Sequence, residues 1–462
     1  MSLVENPRKR MALLCALYFA QGLPWGFMDE TLINFLMDQG VSKGEAAGVS
    51  AVILLPWTFK LIWAPLIDTV TIRSMGKRRP WIIIAQFFMA LTLIGILMVP
   101  DITTNYRLLA LMFFIHNIFA SFQDVSTDAL AVDILPPGEQ GKANGMMWAS
   151  KLVGFGVGAA GFARVMDASS IETAVLLQIV ILIMIMVLPI LWVERAGEKR
   201  FPWSSGEVPP EARDNFRSLS GVGRNTLLAF SLRTTFVFVI FTLVHNLGPE
   251  IGKFTAKGNC LNQLGWTYVE ASDMRGLALL PELVLVLLGG FLADRWGRRT
   301  VLVIGMTSYG LLNLVAATMP TLWMTSLFPE AYLVFSPGLI AVGAVGFLSM
   351  AMRISWTAAA ATVFTTYMTL SNVSAIIGKT LVGVLTNPPT VMDPGMVDPE
   401  YVAPLTWQNM LNIDASSHIF LIAAALAVIP LILLPLIRPA DVDRAKATLG
   451  GEKEAENTGS AS

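Results

Sequence analysis

The stretch "SFQDVSTDALAVDIL", residues 121–135, sets Gln123, Asp124, Asp128 and Asp133 into an apolar segment. A carboxylate inside a bilayer costs about 2.5–3.5 kcal/mol on insertion scales, so these side chains face protein or water and mark a pathway. Asp124 and Asp128 stand one helical turn apart on one face. Two carboxylates that close titrate as a pair, which suits them to carry a coupling proton. Asp133 falls nearer the helix end, where basic loops can pair with it. Three lysines add the opposite charge. Lys60 sits two turns before Asp68, ~12 Å along the helix. It is either a static partner of a helix 4 aspartate or a cation for an anionic solute. Lys151 and Lys379 hold matching places in the two halves of the chain, where both can face one central cavity. Glu250 follows Pro249 at an expected helix break. Asp29 and Glu30 lie ~27 Å along the first helix, as a water-exposed mouth or a gate. Trp25, Trp57, Trp63 and Trp81 read as interface anchors.

The elements that must hold these residues are membrane helices. The chain is 54% hydrophobic and 14% charged, with a mean hydropathy of +0.62; soluble domains carry roughly 25% charged residues. A spanning helix needs about 20 apolar residues. Such runs fall at 11–36, 45–67, 80–100, 107–134, 143–166, 172–193, 226–252, 269–293, 299–319, 327–353, 360–386 and 416–437. The first is a retained helix and not a cleaved signal, because it is too long and no small-residue cleavage site follows. Twelve spans put both termini on one side. One set of loops holds Arg8, Lys9, Arg10, Arg73, Lys77, Arg78, Arg79, Lys142, Arg195, Lys199, Arg200, Arg213, Arg217, Arg224, Arg295, Arg298, Arg299 and Arg353. The other holds Lys43, Arg107, Arg164, Lys253 and Lys257. The positive-inside rule therefore places the termini in the cytoplasm, and the expected location is a cytoplasmic or inner membrane.

The chain repeats. "GVSKGEA" (40–46) and "GWTYVEA" (265–271) each set Ser42 or Thr267 three residues before Glu45 or Glu270, a capping box that starts helices 2 and 8. Those helices end in "PLIDTVTIRSMGKRR" and "FLADRWGRR". The polar segment 195–225 reads as a cytoplasmic linker between six-helix bundles at 1–194 and 226–438, and 439–462 as a disordered tail. A parallel repeat with a site between its halves is the plan of a secondary transporter.

Other signals carry no chemistry. "GKT" at 378–380 lacks the earlier glycine of a phosphate loop. "GFGVGAAG" lies within a helix, where Gly154 and Gly158 form a small-xxx-small packing pattern. Asn372-Val373-Ser374 is a glycosylation triplet inside helix 11. His116, His245 and His418 lack metal spacing, Cys15 and Cys260 form no disulfide framework, and no nucleophile constellation is present. No enzyme activity, cofactor, metal or nucleic-acid partner is expected.

Two motifs carry a family resemblance. Asp294, Arg295, Gly297, Arg298 and Arg299 resemble the loop between helices 8 and 9 of the major facilitator superfamily, and Asp68, Gly76, Lys77, Arg78 and Arg79 its counterpart between helices 2 and 3. "QDVSTDALAVD", "FKLIWAPLID", "HNLGPEIG", "SKLVG" and "GKTLVG" are similar to segments of the AmpG-type muropeptide permeases in the peptide/acetyl-coenzyme A/drug transporter family. The resemblance runs from about Leu14 to Arg438. Ser336 and Pro337, and Asp29 and Glu30, depart from its pattern. It implies an all-α integral membrane fold of twelve helices in two pseudo-symmetric bundles. With no ATP motif in the sequence, an ion gradient, most simply of protons, is the expected drive, and Lys60, Lys151 and Lys379, costly without a partner, point to a small organic, at least partly anionic solute moved by alternating access in a monomer. Cell-wall sugar-peptide import leads; siderophore uptake, drug or metabolite export and a non-transporting receptor are the alternatives. Asp124, Asp128, Lys60, Lys151, Lys379, Gln123, Glu250 and Asp29 are then the substrate and proton residues. Asp68, Arg78, Asp133, Asp294, Arg295 and Arg298 are the gating residues.

Overall fold

A computed structural model describes residues 2–69, 72–136, 139–204, 230–355, 360–386, 415–438, 440–442 and 444. Among them the chain is helical, in two six-helix bundles. Eleven helices of the described residues are long and apolar enough to cross a membrane. They are α1 (Pro7–Asp38), α3 (Arg79–Leu97), α4 (Tyr106–Ile134), α5 (140–168), α6 (Ile171–Leu191), α7 (Arg233–Asn262), α8 (Tyr268–Trp296), α9 (Arg298–Thr318), α10 (Leu327–Ile354), α11 (Ala360–Thr386) and α12 (415–436). The twelfth expected span is α2, at 43–69. It is interrupted: an α-helix to Leu54, a 3-10 turn over Leu55–Phe59, then a helix from Lys60. Pro56 causes the change, because it lacks an amide and clashes with the preceding turn. Both expected capping boxes are present, Ser42 with Glu45 and Thr267 with Glu270.

α1 and α5 cross at glycines. A Cβ at Gly22 would stand 2.1 Å from the Lys151 carbonyl, and one at Gly26 2.1 Å from that of Phe155. Gly154 and Gly158 face the Phe19 and Leu23 carbonyls in return. The expected packing role of Gly154 and Gly158 is therefore met by a second pair on α1. Both helices widen to a π-turn near this crossing, over Phe27–Leu32 and Val157–Gly161. A π-turn frees backbone carbonyls; the Thr31 hydroxyl donates to those of Gly158 and Ala159 at 3.0 and 2.6 Å.

α7 is longer than expected. Its charged second piece continues to Asn262, so Lys253 and Lys257 lie within a helix and not in a loop. Its break falls at His245–Asn246, before Pro249. The Asn246 side-chain amide donates to the carbonyl and hydroxyl of Ser371 on α11, at 3.1 and 3.0 Å. Its backbone amide donates to Ser374.

The start of the expected linker is docked. The Lys199 amide donates to the Ser74 carbonyl at 2.8 Å. The buried Arg79 guanidinium donates to the carbonyls of Lys199 and Arg200, both at 3.0 Å. Glu194 accepts the consecutive amides of Lys77, Arg78 and Arg79 at 3.0, 2.8 and 2.5 Å. Gly76 permits the turn: its φ is +104°, and a Cβ there would meet the Glu194 carboxylate at 2.8 Å. Burial raises the Glu194 carboxyl against those amides. Burial and the Glu194 charge push Glu198 up to about 7. Residues 205–225 of the linker and 445–462 of the tail lie outside the described residues.

Candidate functional site

Three helices of the first bundle meet one face of α4: α2 and α5 each bring a lysine, and α1 brings a tyrosine hydroxyl. Lys60 enters at the first turn after the 3-10 segment of α2, and its Nζ donates to Asp124 Oδ2 at 2.5 Å. Lys151 is carried in by the glycine crossing, and its Nζ donates to Asp124 Oδ1 at 3.2 Å. Asp124 is 2% exposed. It thus holds two cations, one on each oxygen. Asp128, one turn away, accepts a hydrogen bond from the Tyr18 hydroxyl of α1. Unlike Asp124, it is exposed.

Aromatic rings enclose the Lys151 ammonium. Trp57 lies 4.8 Å from it, Tyr18 and Trp148 5.5 Å, and Trp25 5.6 Å. Lys60 stands 4.9 Å over Trp57 as well. Ring faces attract desolvated cations, and this box compensates part of the hydration that Lys151 loses. The expected interface role of Trp25 and Trp57 is therefore corrected, since both turn inward to the lysines. Trp63 donates to Ser121 at 3.1 Å and packs with Trp81 around Phe122. A chain of amides lies behind the site: Gln21 donates to Gln123 at 2.7 Å, Gln123 to Gln86 at 3.2 Å, and Gln86 to the Leu182 carbonyl at 3.2 Å. Gln123 is thus a structural link among four helices and does not meet the lysines.

A second charge layer lies towards the opposite end of α1, and it joins the bundles. Lys379 of α11 donates to both oxygens of Asp29, at 3.3 and 3.4 Å, and to Ser50 at 2.6 Å. Ser50 donates to Asp29. Lys257 of α7 pairs with Glu30. Lys253 pairs with Glu250 at 2.7 Å within α7. Further cross-bundle contacts lie near the same end: Lys43 with Asn259 at 2.8 Å, Asn34 with Ser272 at 3.1 Å, and Arg164 with Asp273 at 2.9 Å. The open reading of Asp29 and Glu30 as a water-exposed mouth is overturned, because both are paired and Glu30 is 7% exposed. Lys379 and Lys151 are both buried, yet they serve different carboxylates.

Among the expected gating residues, Arg78 pairs with Asp133 at 2.8 Å, and Lys77 approaches the same carboxylate at 3.8 Å. Arg298 donates to the Ser349 carbonyl within its own bundle at 3.2 Å, and Arg295 is exposed. The side chains of Asp68 and Asp294 lie outside the described residues. Tyr18, Gln21, Trp25, Ser50 and Lys257 were missed as site residues. Tyr18, Gln21 and Trp25 did carry a signal, since their spacing puts them on one face of α1. The lysine that donates to Ser50 and the carboxylate that pairs with Lys257 come from the other bundle, and no local spacing reports that.

The profile of the Major Facilitator Superfamily matches residues 11–255. The chain is 32% identical over 136 residues to an uncharacterized protein of Haemophilus influenzae, covering 29% of this chain and 32% of that one. It is 29% identical over 134 residues to the anhydromuropeptide permease of Escherichia coli K12, covering 29% of this chain and 26% of the permease. These alignments thus span a third or less of each relative. Among solved structures, it superposes on nucleoside transporter NupG with a TM-score of 0.66 at 14% identity, covering 93% of this chain and 99% of that one. The D-xylose-proton symporter gives a TM-score of 0.63 at 13% identity, covering 94% and 98%. At such identities the two structures speak for the fold alone.

Proposed function

The chain belongs to the Major Facilitator Superfamily, a family of membrane transporters and not of enzymes, and from that premise we propose that it is a proton-coupled secondary transporter of an organic, partly anionic solute. The observation that carries the reading is a pair of lysines, Lys151 buried and Lys60 half-buried, on one buried aspartate. Two cations desolvated in a bilayer are expensive to keep. Asp124 balances one of them, and a solute anion is a natural partner for the other whenever Asp128 is protonated. Sugar-peptide import is the leading substrate class, supported by the partial likeness to an anhydromuropeptide permease. The termini are cytoplasmic by the distribution of basic residues, the bundles at 1–194 and 226–438 rock about the site, and the monomer is the working unit.

The test has two steps. Thermal shift of the purified protein against muropeptides, siderophores, nucleotides and acyl carriers identifies the solute. Proteoliposomes with an imposed pH gradient then measure its movement. Accumulation that follows the proton gradient, and stops when a protonophore collapses it, is the expected result. Accumulation indifferent to the gradient overturns proton coupling. Net movement opposite to proton entry makes the protein an exporter.

A further inference from the structure

The two aspartates of α4 are one turn apart and have the same chemistry, yet their surroundings differ. Asp124 is buried and accepts from Lys60 and Lys151. Asp128 is exposed, and its described hydrogen bond is from a neutral group, the Tyr18 hydroxyl. The charged groups around Asp128 are Asp124 on its own helix, Lys60 from α2 and Lys151 from α5, with Tyr18 facing it from α1. With every group ionised, the cluster of two lysines and two aspartates is neutral. A proton taken up by Asp124 would strip both lysines of their shared anion. A proton taken up by Asp128 leaves both ion pairs intact and gives the cluster one net positive charge.

We propose that Asp128 carries the coupling proton, with Tyr18 as its positioning residue, and that the site binds a solute group of one net negative charge for each proton. The inference rests on the transport reading above and deepens it. A net charge held in low dielectric is unfavourable, so the cluster seeks neutrality. It reaches neutrality with Asp128 ionised and no solute, or with Asp128 protonated and one solute anion present. The two intermediate states, proton alone or anion alone, each leave one uncompensated charge. Proton and anion therefore bind together and leave together. The proton comes from water that reaches the exposed Asp128 and returns to water on the other side; no bond other than O–H is made or broken. Tyr18 supports both forms, because a phenol can donate to the carboxylate and accept from the carboxylic acid. Its ring also borders the Lys151 ammonium at 5.5 Å, so movement of that lysine towards an anion is felt at Asp128.

Infrared difference spectroscopy tests the assignment without knowledge of the solute. The purified protein in lipid nanodiscs is stepped between acidic and alkaline buffer, and the carboxylic acid C=O band is followed in wild type, Asp128→Asn, Asp133→Asn and Tyr18→Phe. The expected result is a titrating band that is lost in Asp128→Asn, kept in Asp133→Asn, and moved in frequency in Tyr18→Phe, which keeps the acid but removes its hydroxyl partner. A band difference of zero between wild type and Asp128→Asn overturns the assignment. If Asp128→Asn does not fold, an unmoved band in Tyr18→Phe overturns it. The transport assay separates the two levels. Gradient-driven uptake that survives in Asp128→Asn sinks the assignment and leaves proton coupling standing. An Asp128 band with no gradient-driven uptake in wild type sinks proton coupling and, with it, the carrier role of Asp128, which is then only the titrating carboxylate of the site.

Discussion

The two charge layers use the same residue types and differ in what they join. The inner layer, Lys60, Lys151, Asp124 and Asp128, lies within one bundle and is anchored by packing that need not change during rocking. The other layer, Asp29, Glu30, Lys257 and Lys379, draws its partners from opposite bundles. Any motion that separates the bundles at that end must break it. Charge inside one bundle therefore acts on the stability of that bundle and on ligand binding. Charge between bundles acts on the population of conformations. α1 serves both layers, Tyr18 at one level and Asp29 and Glu30 at the next, so it is the element through which the two can communicate.

The largest expected effect breaks the inner layer. Asp124→Asn leaves the buried Lys151 and the half-buried Lys60 without their shared anion. Removing one partner of a buried pair costs about 3–5 kcal/mol. A large fall in the detergent melting temperature and poor membrane yield should follow. Lys60→Met in the same background should restore part of the loss, since it removes one uncompensated cation. A double variant no better than the single would show that the pair is not the origin of the effect.

Breaking the second layer should leave the fold intact and move the conformational balance. Glu30→Gln removes the partner of Lys257. A cysteine at Ser272, which packs on Asn34 across the bundles, reports separation at that end once Cys15 and Cys260 are replaced. Labelling by a membrane-impermeant maleimide should rise about tenfold, the change produced by ~1.4 kcal/mol. Melting temperature should move little. Unchanged labelling together with a large loss of stability would erase the distinction between the layers.

What the sequence disclosed follows the same division. Helix spans, both capping boxes, the helix 4 aspartates and the Gly154–Gly158 pair depend on residues close in the chain, and each could be read. Lys60 could be suspected as a partner of a helix 4 aspartate because its place two turns before Asp68 sets a cation deep in the membrane, where it needs an anion. The pairing of Asp29 with Lys379 and of Glu30 with Lys257 depends on how two bundles meet, and it left no local trace. The second piece of α7 reads partly as a loop in the sequence because Lys253, Lys257 and Asn259 lower its hydropathy. Those polar groups are matched across the interface or within the helix, so they do not face lipid. In the sequence Trp25 and Trp57 read as lipid-interface residues because indole is common there; a buried lysine attracts the same ring.

A smaller effect sharpens the role of α1 as the shared element. A Cβ at Gly158 would stand 2.1 Å from the Leu23 carbonyl, whereas Gly290 has open space around it. Gly158→Val should destabilise by about 1–3 kcal/mol through overpacking, and it should disturb both layers by pushing α1 away from α5. Gly290→Ala should be neutral or stabilising by roughly 0.5–1 kcal/mol, the helix preference of alanine. Thermal melts of the two variants decide it, and equal losses would remove the argument from close crossing.

The smallest effect asks how buried charge within one bundle behaves outside the membrane. Glu198 contacts Arg79 at 3.5 Å and accepts the Glu194 amide at 3.0 Å. Burial and the neighbouring Glu194 charge push its carboxyl from 4.5 up to about 7. The folded form therefore holds a proton that the unfolded chain gives up at lower pH. Where the native state binds more protons than the unfolded state, stability falls as pH rises. The contribution is whole below about 4.5, declines through the interval to about 7, and is flat above it. Glu198→Gln keeps the amide contact and the size while abolishing the titration. Its melting temperature should lie above that of wild type at pH 8 and approach it near pH 4.5. A wild-type profile that is level across this interval, or one that Glu198→Gln leaves unaltered, would show that solvent at the helix ends screens the pair and that the membrane interior is what makes charge within a bundle consequential.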